Sequence, residues 1–72
     1  MILLLGGTSD TAPLAQRLAQ AGLRVLVSTA TDEPLAIGSH PCIRRRNGRL
    51  DRAGLAELVR RESIRAVVDA TH

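Results

Sequence analysis

The first ten residues, Met1-Ile-Leu-Leu-Leu-Gly-Gly-Thr-Ser-Asp10, constrain this chain more than any other stretch. An unbroken apolar run ends there in two glycines and then three small polar side chains. A strand with one face in water alternates apolar and polar residues, whereas a run without alternation fits a strand covered on both faces, as in a parallel sheet. Glycines at its carboxyl end let the backbone turn sharply and come close to a ligand. A helix opening beyond such a turn directs free N–H groups and its positive dipole end at the turn, which favours phosphate. The stretch therefore predicts a strand, a tight turn and a helix start, with Gly6, Gly7, Thr8, Ser9 and Asp10 as candidate phosphate-binding residues. It lacks the spaced third glycine of the full dinucleotide fingerprint, so a plain strand-to-helix connection is the competing reading.

Further along, Leu14, Ala15, Leu18 and Ala19 recur at helical spacing, which predicts a helix over 11–21. Pro13 belongs in its first turn, Asp10 or Thr11 at its N-cap, and Gly22 at the left-handed position that ends it. Residues 23–29, Leu-Arg-Val-Leu-Val-Ser-Thr, form the second strand of a right-handed β-α-β unit. Its carboxyl end carries Ser28 and Thr29 where an NAD site would place an acid for the ribose hydroxyls, and Asp32 and Glu33 come only later. That order favours NADP over NAD. The breakers Pro34, Gly38 and Pro41 predict a loop over 31–41 with at most one helical turn around Pro34 to Ile37. A short, least secure strand follows over 42–46, then an Asn47-Gly48 turn. Arg44, Arg45 and Arg46 alternate faces along that strand, so Arg44 and Arg46 share one. A solvated edge protected by charge and a phosphate-binding role for one of that pair, Arg46 being the candidate, are both open. His40 reads as loop and Cys42 as a small core residue.

Asp51 is the predicted N-cap of a second helix over 52–63, with Leu50 and Leu55 placed as a hydrophobic staple. Leu55, Leu58, Val59 and the stem of Glu62 face inward, while Arg52, Glu57, Arg60 and Arg61 are solvated. A last strand over 64–69 brings Asp69-Ala70-Thr71-His72 to the same sheet edge as Gly6-Gly7 if the strands are parallel. The predicted fold class is α/β: a Rossmann-like parallel sheet of three or four strands flanked by helices.

Seventy-two residues make at most one small domain, and a chain this short buries only about 60 % of its unfolded surface. The single Cys42 forms no internal disulfide and no Cys and His pair has zinc spacing, so neither staple is available and a cytoplasmic protein is expected. Marginal stability or self-association follows as an expectation. The opening apolar run is too short to span a bilayer and has no basic residues ahead of it, so no membrane segment or signal peptide is expected. Net charge is +3 and every basic residue is Arg, which suits anionic partners. Without a single aromatic residue, the base-stacking platforms of single-strand nucleic-acid binders are missing. A phosphorylated small molecule satisfies the charge better than nucleic acid does.

Four motifs in order, Gly6-Gly7-Thr8-Ser9-Asp10, Ser28-Thr29-Ala30, Arg46-Asn47-Gly48-Arg49-Leu50-Asp51 and Asp69-Ala70-Thr71-His72, make the chain resemble the N-terminal part of the precorrin-6A reductases of cobalamin biosynthesis. The resemblance covers essentially all of residues 1–72 and implies NADPH-dependent reduction of one double bond of the precorrin-6A macrocycle. It implies that Gly6, Gly7, Thr8 and Ser9 cradle phosphate, that Ser28 and Thr29 approach the adenosine end, and that Thr71 and His72 border the tetrapyrrole cleft to a second domain. Two departures stand out: the family usually has Glu where this chain has Asp10, and its Asp-Ala-Thr-His motif runs on into Pro. The family's usual length is much greater, so the expectation is a fragment: a truncated dinucleotide-binding domain without its substrate domain. A bare nucleotide-binding module with no chemistry of its own is the alternative, separated from the first reading by whether a substrate cleft exists.

Overall fold

The computed structural model describes residues 1–7, 9–30 and 40–70. The loop expected around Pro34 to Ile37 and the site candidates Thr8, Thr71 and His72 lie outside these residues. The apolar opening run forms β1 (Ile2–Leu5), followed by α1 (Thr11–Gln20), β2 (Val25–Thr29), β3 (Ile43–Asn47), α2 (Arg52–Arg61) and β4 (Ala66–Asp69). The strands make one four-stranded sheet in the order β3-β2-β1-β4, and every pairing is parallel. β1 is therefore interior, as its unalternating composition requires. Leu3 and Leu4 are both fully buried although they point to opposite faces.

One face is closed by α1, with Ala15 packed on Leu4, Val25 and Val27. The other is closed by α2, with Leu58 packed on Leu3 and Leu26. Right-handed crossovers demand this split: α1 carries the chain from β1 outward to β2, α2 carries it back across to the far side of β1, and reversing direction reverses the covered face. The chain order thus switches between β1 and β4, the place where open α/β sheets hold ligands at their strand carboxyl ends.

The helix stops explain where the strands begin. Gly22 adopts φ +85°, its N–H bonds Ala19 O at 2.9 Å, and Leu23 N–H bonds Leu18 O at 3.1 Å. α2 ends in the same motif, with Ser63 at φ +54°, its N–H on Arg60 O at 3.4 Å and Ile64 N–H on Val59 O at 3.0 Å. Residues 23–24 and 64–65, expected in strands, are consumed in closing the preceding helices. The second strand accordingly starts at Val25 and the last at Ala66. β3 lies one residue later than expected, held at its start by Cys42 O accepting from Val25 N–H at 2.8 Å. It is an edge strand with Arg44 and Arg45 exposed.

α2 has the expected cap: Asp51 is extended (ψ −178°) and its Oδ1 accepts from Gly54 N–H at 2.6 Å. Leu50 and Leu55 both pack against the Leu3, Leu26 and Leu58 cluster. Ser63 holds a left-handed conformation that costs a non-glycine residue about 1–2 kcal/mol, partly offset by the flexibility glycine would bring to the unfolded chain. Ser63→Gly is expected to raise stability by about 0.5–1 kcal/mol and Gly22→Ala to lower it by about 1 kcal/mol. Urea titrations of the three proteins check both signs.

Candidate functional site

The glycine turn is built by Thr11, the first residue of α1. Thr11 is fully buried, and its Oγ1 accepts from Gly7 N–H at 3.0 Å. Its Cγ2 would stand 2.4 Å from a Cβ placed on Gly6, so the close approach of strand end and helix start admits no side chain at that position. Gly6 N–H meanwhile continues the sheet by donating to Ser28 O at 2.8 Å. Gly7 lies at φ +150° with open space where a Cβ would project. The Gly7 N–H is thus held inward by Thr11 while the space on its Cα side is open, and the amino end of a ten-residue helix follows it.

Asp10 occupies the N-cap position but does not cap. Its backbone is already helical (φ −79°, ψ −13°), and its side chain makes no hydrogen bond to the helix end. Capping needs the extended backbone seen at Asp51, which swings the carboxylate back over the following amides. Thr11, the other expected cap, turns its hydroxyl upstream to Gly7 instead. α1 has no acidic residue in its first turn, so beyond Asp10 at the N-cap position no acid of the helix itself meets its positive dipole end. Ser9 and Asp10 are both exposed beside this turn.

The second strand's tip sits at the same level, with Ser28 in register with Leu5 on one side and Arg46 on the other. Ser28 and Thr29 are buried, each 5 % exposed, so their hydroxyls are held inside the strand ends. Ser28 Oγ accepts from Arg46 Nη1 at 2.6 Å, and Thr29 Oγ1 donates to Asn47 Oδ1 at 3.5 Å. The half-buried Arg46 guanidinium is fixed further by the carbonyls of Gly48 (3.1 Å) and Asn47 (3.0 Å). Arg44 shares its face but reaches Glu62 just after α2 at 3.2 Å, well away from the strand tips. Register therefore decides between the two arginines, and Arg46 is the one at the carboxyl edge.

Ser28, Thr29 and Ala30 line a cavity of about 150 Å³ with Leu5, Gly48, Arg49, Leu50 and Leu55. Such a volume takes part of a ligand rather than a whole one. Sequence reasoning missed Gly48, Arg49, Leu50 and Leu55 as site-lining residues: Asn47-Gly48 read as a turn, and Leu50 and Leu55 as the hydrophobic staple of a helix start. His40 also has a structural task, its Nδ1 accepting from Cys42 N–H at 3.0 Å just ahead of β3.

A parallel sheet with helices on both faces, a side-chain-free turn at the end of an interior strand and a basic side chain at the tip of the edge strand two places away defines an α/β protein of the doubly wound class. The family model described as "Precorrin-6x reductase CbiJ/CobK" matches residues 1–72, and the chain belongs to that family. It is 33 % identical over 72 residues to a cobalt-precorrin-6A reductase of Priestia megaterium, covering all of this chain and 28 % of that protein. Among solved structures it is similar to the CobK precorrin-6A reductase, with a TM-score of 0.79 and 33 % identity over 99 % of this chain and 28 % of that one. The chain thus spans less than a third of the length of these relatives.

Gly6→Ala is expected to destabilise the fold by about 1–3 kcal/mol through overpacking against Thr11. Adding Thr11→Ser, which deletes Cγ2 and keeps the acceptor for Gly7, should recover part of the loss. Thermal melts of the single and double variants provide the check, and full stability in Gly6→Ala would contradict the contact.

Proposed function

We propose that residues 1–72 form the dinucleotide-binding, Rossmann-like part of a cytoplasmic NADPH-dependent precorrin-6A reductase, which reduces one double bond of the tetrapyrrole macrocycle in cobalamin biosynthesis. Family membership supports the reaction class. The observation that carries the cofactor reading is the placement of the Gly6-Gly7 turn and Arg46 on the two strand tips that flank the tip of β2, the first free of side chains and the second cationic.

The residues fit a dinucleotide. Open space over Gly7 leaves room for a pyrophosphate beside Gly7 and the α1 dipole. The strand order 3-2-1-4 is that of the first four strands of the doubly wound dinucleotide sheet, and there the adenosine end lies over the second strand's tip. At this tip stand Ser28 and Thr29 rather than an acid, with Arg46 anchored on Ser28, Gly48 and Asn47 and its cationic charge on offer to the 2′-phosphate. The buried hydroxyls of Ser28 and Thr29 act on the ligand by positioning Arg46 and Asn47. Bound NADPH supplies the hydride, while the protein binds, orients and excludes water. Thr71 and His72, which follow Asp69-Ala70 in sequence, border the tetrapyrrole in this reading.

NADPH should bind about tenfold or more tightly than NADH, equivalent to about 1.4 kcal/mol. Arg46→Ala should remove most of that preference by weakening NADPH alone. Ser28→Asp should reverse its sign or abolish it, because it sets like charge beside the phosphate and offers free ribose hydroxyls an acceptor. Titrating both reduced cofactors against the three proteins tests the placement; equal affinities in the wild type, or a ratio unmoved by either substitution, would refute it.

A further inference from the structure

The cavity at the tip of β2 has a cationic side chain on its wall that neither the fold nor the cofactor reading uses. Leu5, Ala30, Leu50 and Leu55 give it aliphatic walls, and the three leucines also pack on the cluster of Leu3, Leu26 and Leu58, so its floor is continuous with the core. Polar groups around it are already committed. Ser28 Oγ accepts from Arg46 at 2.6 Å, Gly48 O accepts from Arg46 at 3.1 Å, and Gly48 N–H donates to Thr29 O at 2.9 Å. A phosphate or a sugar placed there meets groups that are bonded elsewhere, whereas a flat apolar face does not need them. Arg49, on the same wall, is exposed and bonds to no other described residue, while Arg44 and Arg46 both hold acceptors.

We propose that this cavity takes the adenine ring of the dinucleotide and that Arg49 lays its guanidinium plane on that ring. The inference rests on the cofactor reading above and adds a residue and a subsite to it. Covalent geometry joins the two. Adenine and the 2′-phosphate leave neighbouring carbons of one ribose, so a phosphate on Arg46 puts the base one sugar away. The cavity lies at that reach, because Ser28 and Gly48, which line it, are the residues that anchor Arg46. No Phe, Tyr or Trp in the chain offers the base an aromatic platform, and a planar guanidinium stacks on a π-face in its place. Arg49 is the arginine on this wall, and the leucines opposite cover the other face of the ring. Arg46 and Arg49 thereby divide the work: the first selects the 2′-phosphate, and the second holds the base whichever dinucleotide carries it.

NMR of the 72-residue chain with NADPH, together with titrations of NADPH and NADH against Arg49→Ala and Arg49→Lys, tests the proposal. In D2O only the two histidines share the aromatic proton region with adenine, so its H2 and H8 are read without overlap. Both should show NOEs to the methyls of Leu50 and Leu55 and to the Arg49 side chain. Arg49→Ala should weaken NADPH and NADH alike, by about fivefold, and leave their ratio within about twofold of the wild type. Arg49→Lys keeps the charge and loses the plane, so it should recover little of that loss. Arg49 is exposed, and neither substitution removes a contact that holds the fold. A loss confined to NADPH and restored by lysine would make Arg49 a second phosphate ligand and overturn the stacking role. Wild-type affinity in both variants, or adenine NOEs away from Leu50 and Leu55, would overturn it too. Any of these results obtained while Arg46→Ala still removes the NADPH preference leaves the cofactor reading standing; a chain that binds neither dinucleotide overturns both.

Discussion

The contact between Gly6 and Thr11 is the constraint on which the rest of this structure depends. A buried threonine fills the volume that a side chain on Gly6 would need, and its hydroxyl holds the amide of Gly7. One residue thereby fixes the distance from strand end to helix start and the direction in which the turn faces. α1 can then lay Ala15 and Ala19 flat on the sheet, small residues that tolerate the short separation. Its amino end is delivered to the carboxyl edge of an interior strand, which is where the topology reverses. Fold and candidate site are consequences of one steric arrangement.

Much of this is legible in the sequence because the signals are local. An apolar run without alternation calls for an interior strand, and β1 is one. Asp51, Leu50 and Leu55 mark a helix start by chemistry contained within one short stretch, and α2 begins there. The strand starts were less legible. Leu23 and Ile64 are apolar and read as strand, yet their N–H groups return to Leu18 and Val59 to finish a helix. A glycine at position 22 announces such a stop, whereas Ser63 in the same left-handed conformation gives no warning.

The site divides the same way. Gly6 and Gly7 declare themselves through residue type, but Asp10 misleads because its capping depends on a backbone angle that residue type does not set. The choice between Arg44 and Arg46 depended on pairing between strands far apart in sequence. Only the Ser28 to Arg46 register, and the competing partner Glu62 for Arg44, decide it. The burial of Ser28 and Thr29 is equally non-local, and it changes their part from touching a ligand to holding the groups that would.

The central claim is that the glycine turn and the Arg46 guanidinium make one binding edge. Backbone and arginine side-chain NMR resonances followed while NADPH is added address it most directly. The account expects the amides of Gly6, Gly7 and the first turn of α1 to shift together with the Arg46 side chain, while Arg44, paired to Glu62 on the same face, stays put. Shifts gathered at the opposite edge of the sheet, around Met1, Arg24 and Arg65, or an Arg46 that does not respond while the glycine turn does, would contradict it.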